Sequence, residues 1–170
     1  MNERRGTTMR QRVLTRVAAM VVAMSAVLIV GGTTADAEGA TFVSFAQKLR
    51  RCDFSANTYV SATGYGRPTA TVYRTGSELS ADVQIATAIP NTPYDVKLIQ
   101  VPRSSAASCN PGDPGVIAAV LWTDGAGAGR VTLRGPVSAG ATGAWMSITR
   151  PGEFSQTPAE FYTTDFVVSI

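Results

Sequence analysis

The segment 79–89 reads LSADVQIATAI, and the set Leu79, Ala81, Val83, Ile85, Thr87 and Ile89 alternates with Ser80, Asp82, Gln84, Ala86 and Ala88. A period of two over so many residues suits a strand with one face buried and one face in water, and a helix cannot satisfy it. A one-sided strand needs a layer to pack against, so the rest of the chain must supply more sheet or helices. More sheet is what the pattern offers. YDVKLIQV at 94–101 alternates again, VIAAVLWT at 116–123 is apolar on both faces and is expected to lie centrally, and 69–74, 143–149 and 161–170 read as further strands. The loop DGAGAG at 124–129 predicts a hairpin whose return strand is 130–137. The segment 42–49 suits either a helical face, through Phe42, Phe45, Ala46 and Leu49, or a strand. Seven or eight short strands punctuated by Gly, Pro, Asn and Asp predict an all-β protein, an antiparallel sandwich or small barrel, and the strand count favours an immunoglobulin-like β-sandwich over a closed barrel.

The N-terminus has a different composition. Arg4, Arg5, Arg10, Arg12 and Arg16 precede the apolar run VAAMVVAMSAVLIV at 17–30, and Ala35-Asp36-Ala37 follows as a small-x-small site. That order is a secretory signal peptide over 1–37, cleaved after Ala37, and Met9 is an alternative start that keeps a basic region. The run is shorter than the ~20 apolar residues a spanning helix needs, so no permanent membrane span is expected. Residues 38–170 then form a single domain that is secreted or retained at the cell envelope.

Export also changes the charge balance. The whole chain has 15 Lys+Arg against 12 Asp+Glu, but five of the former and two of the latter lie in 1–37, so the exported part is neutral. A neutral chain with scattered arginines has no field to hold nucleic acid, and none is expected as a partner.

The stretch SCNPGDPG at 108–115 carries one of the two cysteines. In an oxidising compartment Cys52 and Cys109 are expected to form a disulfide, which makes this stretch a stapled turn and removes both thiolates from chemistry. Metal sites are not expected. There is no histidine, and Asp113 and Asp124 stand among glycines and prolines, where aspartate caps turns. The missing histidine also removes Ser-His-Asp and Cys-His catalysis, and no G-x-x-x-x-G-K phosphate loop occurs. No catalytic residue and no cofactor are therefore assigned. Carboxylate pairs such as Glu153 and Glu160 leave one enzymatic alternative, a hydrolase acting on envelope polysaccharide.

Binding is the preferred function. If Ala144, Met146 and Ile148 face inward, Trp145 shares the other face with Ser147 and Thr149, and Tyr59 and Tyr65 stand together in a small-residue segment. Trp145, Tyr59 and Tyr65 are the candidate binding surface, unless a second sheet or a loop covers the tryptophan. The expected partner is a protein, glycan or lipid of the envelope.

The series CDFSANTYVSATGYGR, PNTPYDVKLIQVPR, CNPGDPGV, LWTDGAGAG and AEFYTTDF resembles a group of exported proteins of mycobacteria and related actinobacteria that have no assigned activity. The resemblance implies export and a compact all-β domain, and carries no site residue. The Y-x-V-x-L strand, the cysteine loop and the T-D-x-x-G-x-G turn are also similar in layout to copper-zinc superoxide dismutase sandwiches. The metal-binding histidines of that family are missing, so dismutation is not expected.

Overall fold

The computed structural model describes residues 39–58, 60, 64–153, 155 and 157–170. The leader expected at 1–37 and the candidate Tyr59 lie outside the described residues. Among those described, all regular structure is antiparallel strand: β1 (Ala40–Ala46), β2 (Thr69–Thr75), β3 (Glu78–Ile85), β4 (Pro93–Val101), β5 (Val116–Trp122), β6 (Gly129–Pro136), β7 (Gly143–Arg150), β8 (Glu160–Thr164) and the short β9 (Val168–Ser169).

The strands follow one hydrogen-bonded path, β5-β4-β7-β8-β1-β2-β3-β6, with β9 added beside β7. β1 joins the two halves. Its residues 40–44 pair with β2, whereas Phe45 and Ala46 pair with β8. This handover explains the ambiguity at 42–49. Val43 is wholly buried and Phe45 packs against the core, while Phe42 is exposed, so the spacing is that of a strand. The two ends of the path come together through side chains. Ile117 of β5 fills the space over Gly135 of β6, so the sheet curls almost into a barrel.

Inward residues fill that barrel. Leu79, Ala81, Val83 and Ile85 from β3 meet Tyr94, Val96 and Leu98 from β4, with Leu121, Leu133, Met146, Ile148 and Tyr162 closing the interior. Each large aliphatic chain so buried contributes about 2 kcal/mol through removal from water. The alternation in 79–89 holds as far as Ile85 and then breaks. Thr87 takes a φ of 56°, Ala88 turns inward and Ile89 is 42% exposed. The cause is a close approach by the 124–128 loop. Ala88 N donates to Gly127 O at 3.0 Å, and a Cβ on Gly127 would collide with the Ala88 carbonyl.

Several expectations need correction. In an immunoglobulin arrangement the second strand lies between the first and the fifth; here β2 lies between β1 and β3, and β3 pairs with β6. β5 is not central but ends the path; Ile117, packed over Gly135, lies with Ala119 and Leu121 on its inward face, and the exposed Val120 and Trp122 lie on its other face. The 124–129 loop does turn the chain, since Asp124 Oδ1 accepts from Ala126 N at 2.8 Å and Ala128 N at 2.9 Å. The strand that follows is taken by β3 rather than β5, so the expected hairpin ladder is replaced by a crossover. The terminal strand expected over 161–170 divides into β8 and β9.

Candidate functional site

The curled sheet has two outer faces, and the chain treats them differently. On the face of β4, β7 and β8, Trp145 is 1% exposed, beside the equally buried Ile99 that it pairs with. The segment between β1 and β2 covers it. Thr163 Oγ1 donates to Lys48 O at 2.6 Å where the segment leaves the sheet, and Asn57 N donates to Leu49 O at 2.8 Å on its return. Between them Phe54, at a φ of 71°, sets its ring 5.6 Å from Trp145 in an edge-on contact, and the Arg50 guanidinium lies 3.8 Å above the Phe54 ring.

The Cys52–Cys109 disulfide ties this cover to the loop after β4, across a sequence separation of 57. That loop is the SCNPGDPG turn. Asp113 Oδ2 accepts from Ser108 Oγ at 2.6 Å and Asn110 N at 2.7 Å, and these bonds hold its carboxyl below the usual carboxylate range. Arg103 donates to the carbonyls of Ser108 and Pro114, each at 2.9 Å, and Gly112 and Gly115 supply the positive φ angles of the reversal. The stretch is a stapled turn. Trp145 is removed from the candidate surface, because a loop, the second of the two possibilities its context allowed, covers it.

The other outer face is bare. The register of β1, β2, β3 and β6 aligns Phe42, Thr71, Asp82 and Thr132 in one row across four strands, and Ser44, Thr69, Gln84 and Arg130 in the next. Rows on one face of a sheet lie ~7 Å apart and their members ~5 Å apart, so the two rows form a lattice of hydroxyl, amide and charged groups. Phe42 is 63% exposed at its edge. A groove of about 580 Å³ runs between the rows, from Phe42 to Arg130. A second depression, of about 650 Å³, shares Thr69, Gln84 and Arg130 with the first and continues past Arg67 to Trp122, which is 65% exposed. A third, of about 430 Å³, shares Arg67 and ends at Tyr65 and Phe45.

Together these make one track with aromatic rings at Phe42, Trp122 and Tyr65. Of the three aromatic residues that the sequence nominates for binding, Tyr65, at 83% exposed, is the one that the described structure leaves on an open surface. Its carbonyl accepts from Thr87 Oγ1 at 2.8 Å, which fixes the segment leading into β2 beside the end of β3.

Some of the polar groups of the track are already paired. Thr132 Oγ1 donates to Asp82 at 2.6 Å and Gln84 Nε2 donates to Thr69 Oγ1 at 3.0 Å. Asp124, at the margin near Trp122, has its carboxyl held below the usual range by the amides of Ala128 and Ala126. Arg67 donates through Nη1 to the carbonyls of Tyr65 and Gly66, both at 3.2 Å. The Arg130 side chain lines the groove and makes no hydrogen bond or ion pair among the described residues.

The acids considered for catalysis have other settings. Glu160 is 4% exposed, accepts the Tyr94 hydroxyl proton and lies 3.5 Å from Arg150 Nε. Burial and the Glu160 contact push the Tyr94 phenol up to about 12. Beside it, the Tyr162 hydroxyl accepts from Gly66 N at 2.8 Å, and its pKa is raised by burial. Gly64 sits so close to Tyr162 and Glu160 that a Cβ would collide with both. The cluster thus locks the 64–66 turn onto the end of the barrel. Glu153 is exposed in the connection between β7 and β8. Among the described residues, no three His, Cys, Asp or Glu side chains gather as a metal site would require.

The signal for the bare face was present in the chain. Thr69, Thr71, Asp82, Gln84, Arg130 and Thr132 are the polar complement of the alternating core residues in β2, β3 and β6. What the alternation could not supply was the order of the strands that sets them side by side. No protein family matches this chain, no curated protein matches it in sequence, and no solved structure matches it in fold.

Proposed function

We propose that this chain is an exported, non-catalytic binding module of the cell envelope whose ligand is a glycan held across the outer face of β1, β2, β3 and β6. In this reading the leader 1–37 is removed after Ala37, and residues 38–170 form one β-domain outside the cytoplasm. The order of basic, apolar and small residues at the N-terminus supports export, as does the Cys52–Cys109 disulfide, a bond that persists in oxidising compartments. The resemblance to exported actinobacterial proteins points the same way.

The single observation that carries the ligand class is the composition of the track. Sugars present hydroxyls at their edges and apolar C–H faces above and below the ring. Hydroxyl, amide and guanidinium groups between exposed Phe42, Trp122 and Tyr65 match both surfaces, whereas an acyl chain would need an apolar lining. The hydrolase alternative has less support, because Glu160 is buried and committed to Tyr94 and Arg150.

The test is co-sedimentation of the secreted protein with insoluble envelope polysaccharide, compared with a Phe42→Ala, Trp122→Ala double variant. The wild type is expected in the pellet and the variant in the supernatant, with equal melting temperatures. Equal pelleting of both, or of neither, contradicts the proposal.

A further inference from the structure

The track is longer than one sugar and open along its length, and among the described residues its Arg130 guanidinium has no acceptor. We infer that it binds an internal segment of a carboxylate-bearing polysaccharide, with the ligand carboxylate seated on Arg130. The inference rests on the glycan reading above and adds the charge and length of the ligand.

Length follows from continuity. The first and second depressions share Thr69, Gln84 and Arg130, and the second and third share Arg67, so a chain lying over Phe42 can pass Arg130 and continue to Trp122 and Tyr65 without leaving the surface. With rows ~7 Å apart along the strands, this path covers several pyranose rings. Aromatic rings at both ends and beyond the middle supply separate stacking positions, as a polymer with repeating units requires.

Charge follows from the hydrogen bonding. The acids bordering the track, Asp82 and Asp124, already accept from Thr132 Oγ1 and from the Ala126 and Ala128 amides, so part of their acceptor capacity is satisfied. Arg67 holds the Tyr65 and Gly66 carbonyls, and its charge remains at the junction of the second and third depressions. Arg130 stands where the first two depressions meet, its guanidinium without an acceptor among the described residues. A guanidinium presents a planar fork of donors that matches a carboxylate with two parallel bonds, a stronger and more selective contact than it makes with a hydroxyl. The unpaired fork of Arg130 thus favours a ligand carboxylate over a hydroxyl at this position.

The experiment uses the secreted protein, hyaluronan di-, tetra- and octasaccharides, and the same oligosaccharides with their carboxyl groups reduced to alcohols, followed by calorimetric titration. Affinity is expected to rise from di- to octasaccharide, and to fall roughly tenfold on carboxyl reduction, the size of a lost charge-assisted pair. Arg130→Gln should lower affinity for the acidic octasaccharide by the same factor and leave the reduced one unchanged. Arg134→Gln, on the same strand but outside the track, should behave as wild type.

Equal affinity for acidic and reduced octasaccharides overturns the carboxylate assignment, and equal affinity for di- and octasaccharide overturns the extended segment. If only reduced oligosaccharides bind and Trp122→Ala abolishes that binding, the glycan reading stands and this inference fails. If no oligosaccharide binds, and envelope polysaccharide is not pelleted either, both fail.

Discussion

The protein has two tryptophans on two outer faces of the same sheet, and their surroundings are opposite. Trp145 lies under Phe54, in a segment held by a disulfide, and is 1% exposed; Trp122 ends β5 beside an open groove and is 65% exposed. Both are large apolar rings on strands with no inward role. The difference is what the connections do. The segment between β1 and β2 is long enough to fold back over β7 and is stapled to the loop after β4, whereas the short turns at Gly76 and around Asp124 leave the face of β2, β3 and β6 uncovered. The covered tryptophan packs into the fold, and the other is left in water.

Replacing the two rings should break the symmetry most sharply. Trp145→Ala removes a fully buried ring together with its contact to Phe54 and should cost about 4 kcal/mol in urea denaturation, the usual size for a large-to-small change in a closed site. Trp122→Ala should alter stability by less than ~0.5 kcal/mol while removing glycan binding. Comparable losses of stability in the two variants would erase the contrast.

The staple comes next. The chain-entropy model rates a loop of this length at about 4 kcal/mol, and the paired Cys52→Ser, Cys109→Ser variant should lose about 2–4 kcal/mol while its Arg130 groove still binds. Thiol titration of the unreduced, denatured wild type should find no free thiol; two titratable thiols would contradict the bridge.

A smaller effect depends on pH. The Tyr94 phenol is pushed up to about 12, above its value of about 10 in an unfolded chain, so the folded form holds its proton more tightly. The resulting stability is fully present below pH ~10 and is lost as pH rises through ~12, in total about 2–3 kcal/mol. Tyr94→Phe should flatten denaturation midpoints across that window, and an unchanged slope would show that the buried Tyr94 phenol does not govern it. The smallest effect expected is at Arg134→Gln. Its contact with Glu78 is 3.7 Å long between exposed side chains, so stability should change by less than ~0.5 kcal/mol.

How much of this could be read from the chain varies by region. The alternation of β3 identified both the core residues and, by complement, the polar outer face, because the strand period alone decides which side a residue takes. The apolar double face of 116–123 was misleading. One side serves the core through Leu121 and barrel closure through Ile117, and the other meets the open track at Trp122, which are tertiary reasons with no local signature. Trp145 stands between small residues, as a surface ring would, yet a strand pattern says nothing of a loop that arrives from far away in the chain to cover it. Arg130 carried no signal of its own in the sequence. Its significance comes from lying beside Gln84 and Thr69 across two strand pairs, while Arg134 on the same strand finds Glu78.

The division into a structural face and a binding face is tested most directly by tryptophan fluorescence with acrylamide as quencher, comparing wild type with Trp122→Phe in the presence and absence of hyaluronan octasaccharide. The variant reports Trp145 alone, and its emission should be blue-shifted, resistant to acrylamide and indifferent to the saccharide. The wild-type excess reports Trp122, and should be quenched freely without saccharide and protected with it. Free quenching of the variant, or a wild-type signal that the saccharide does not protect, would contradict the account.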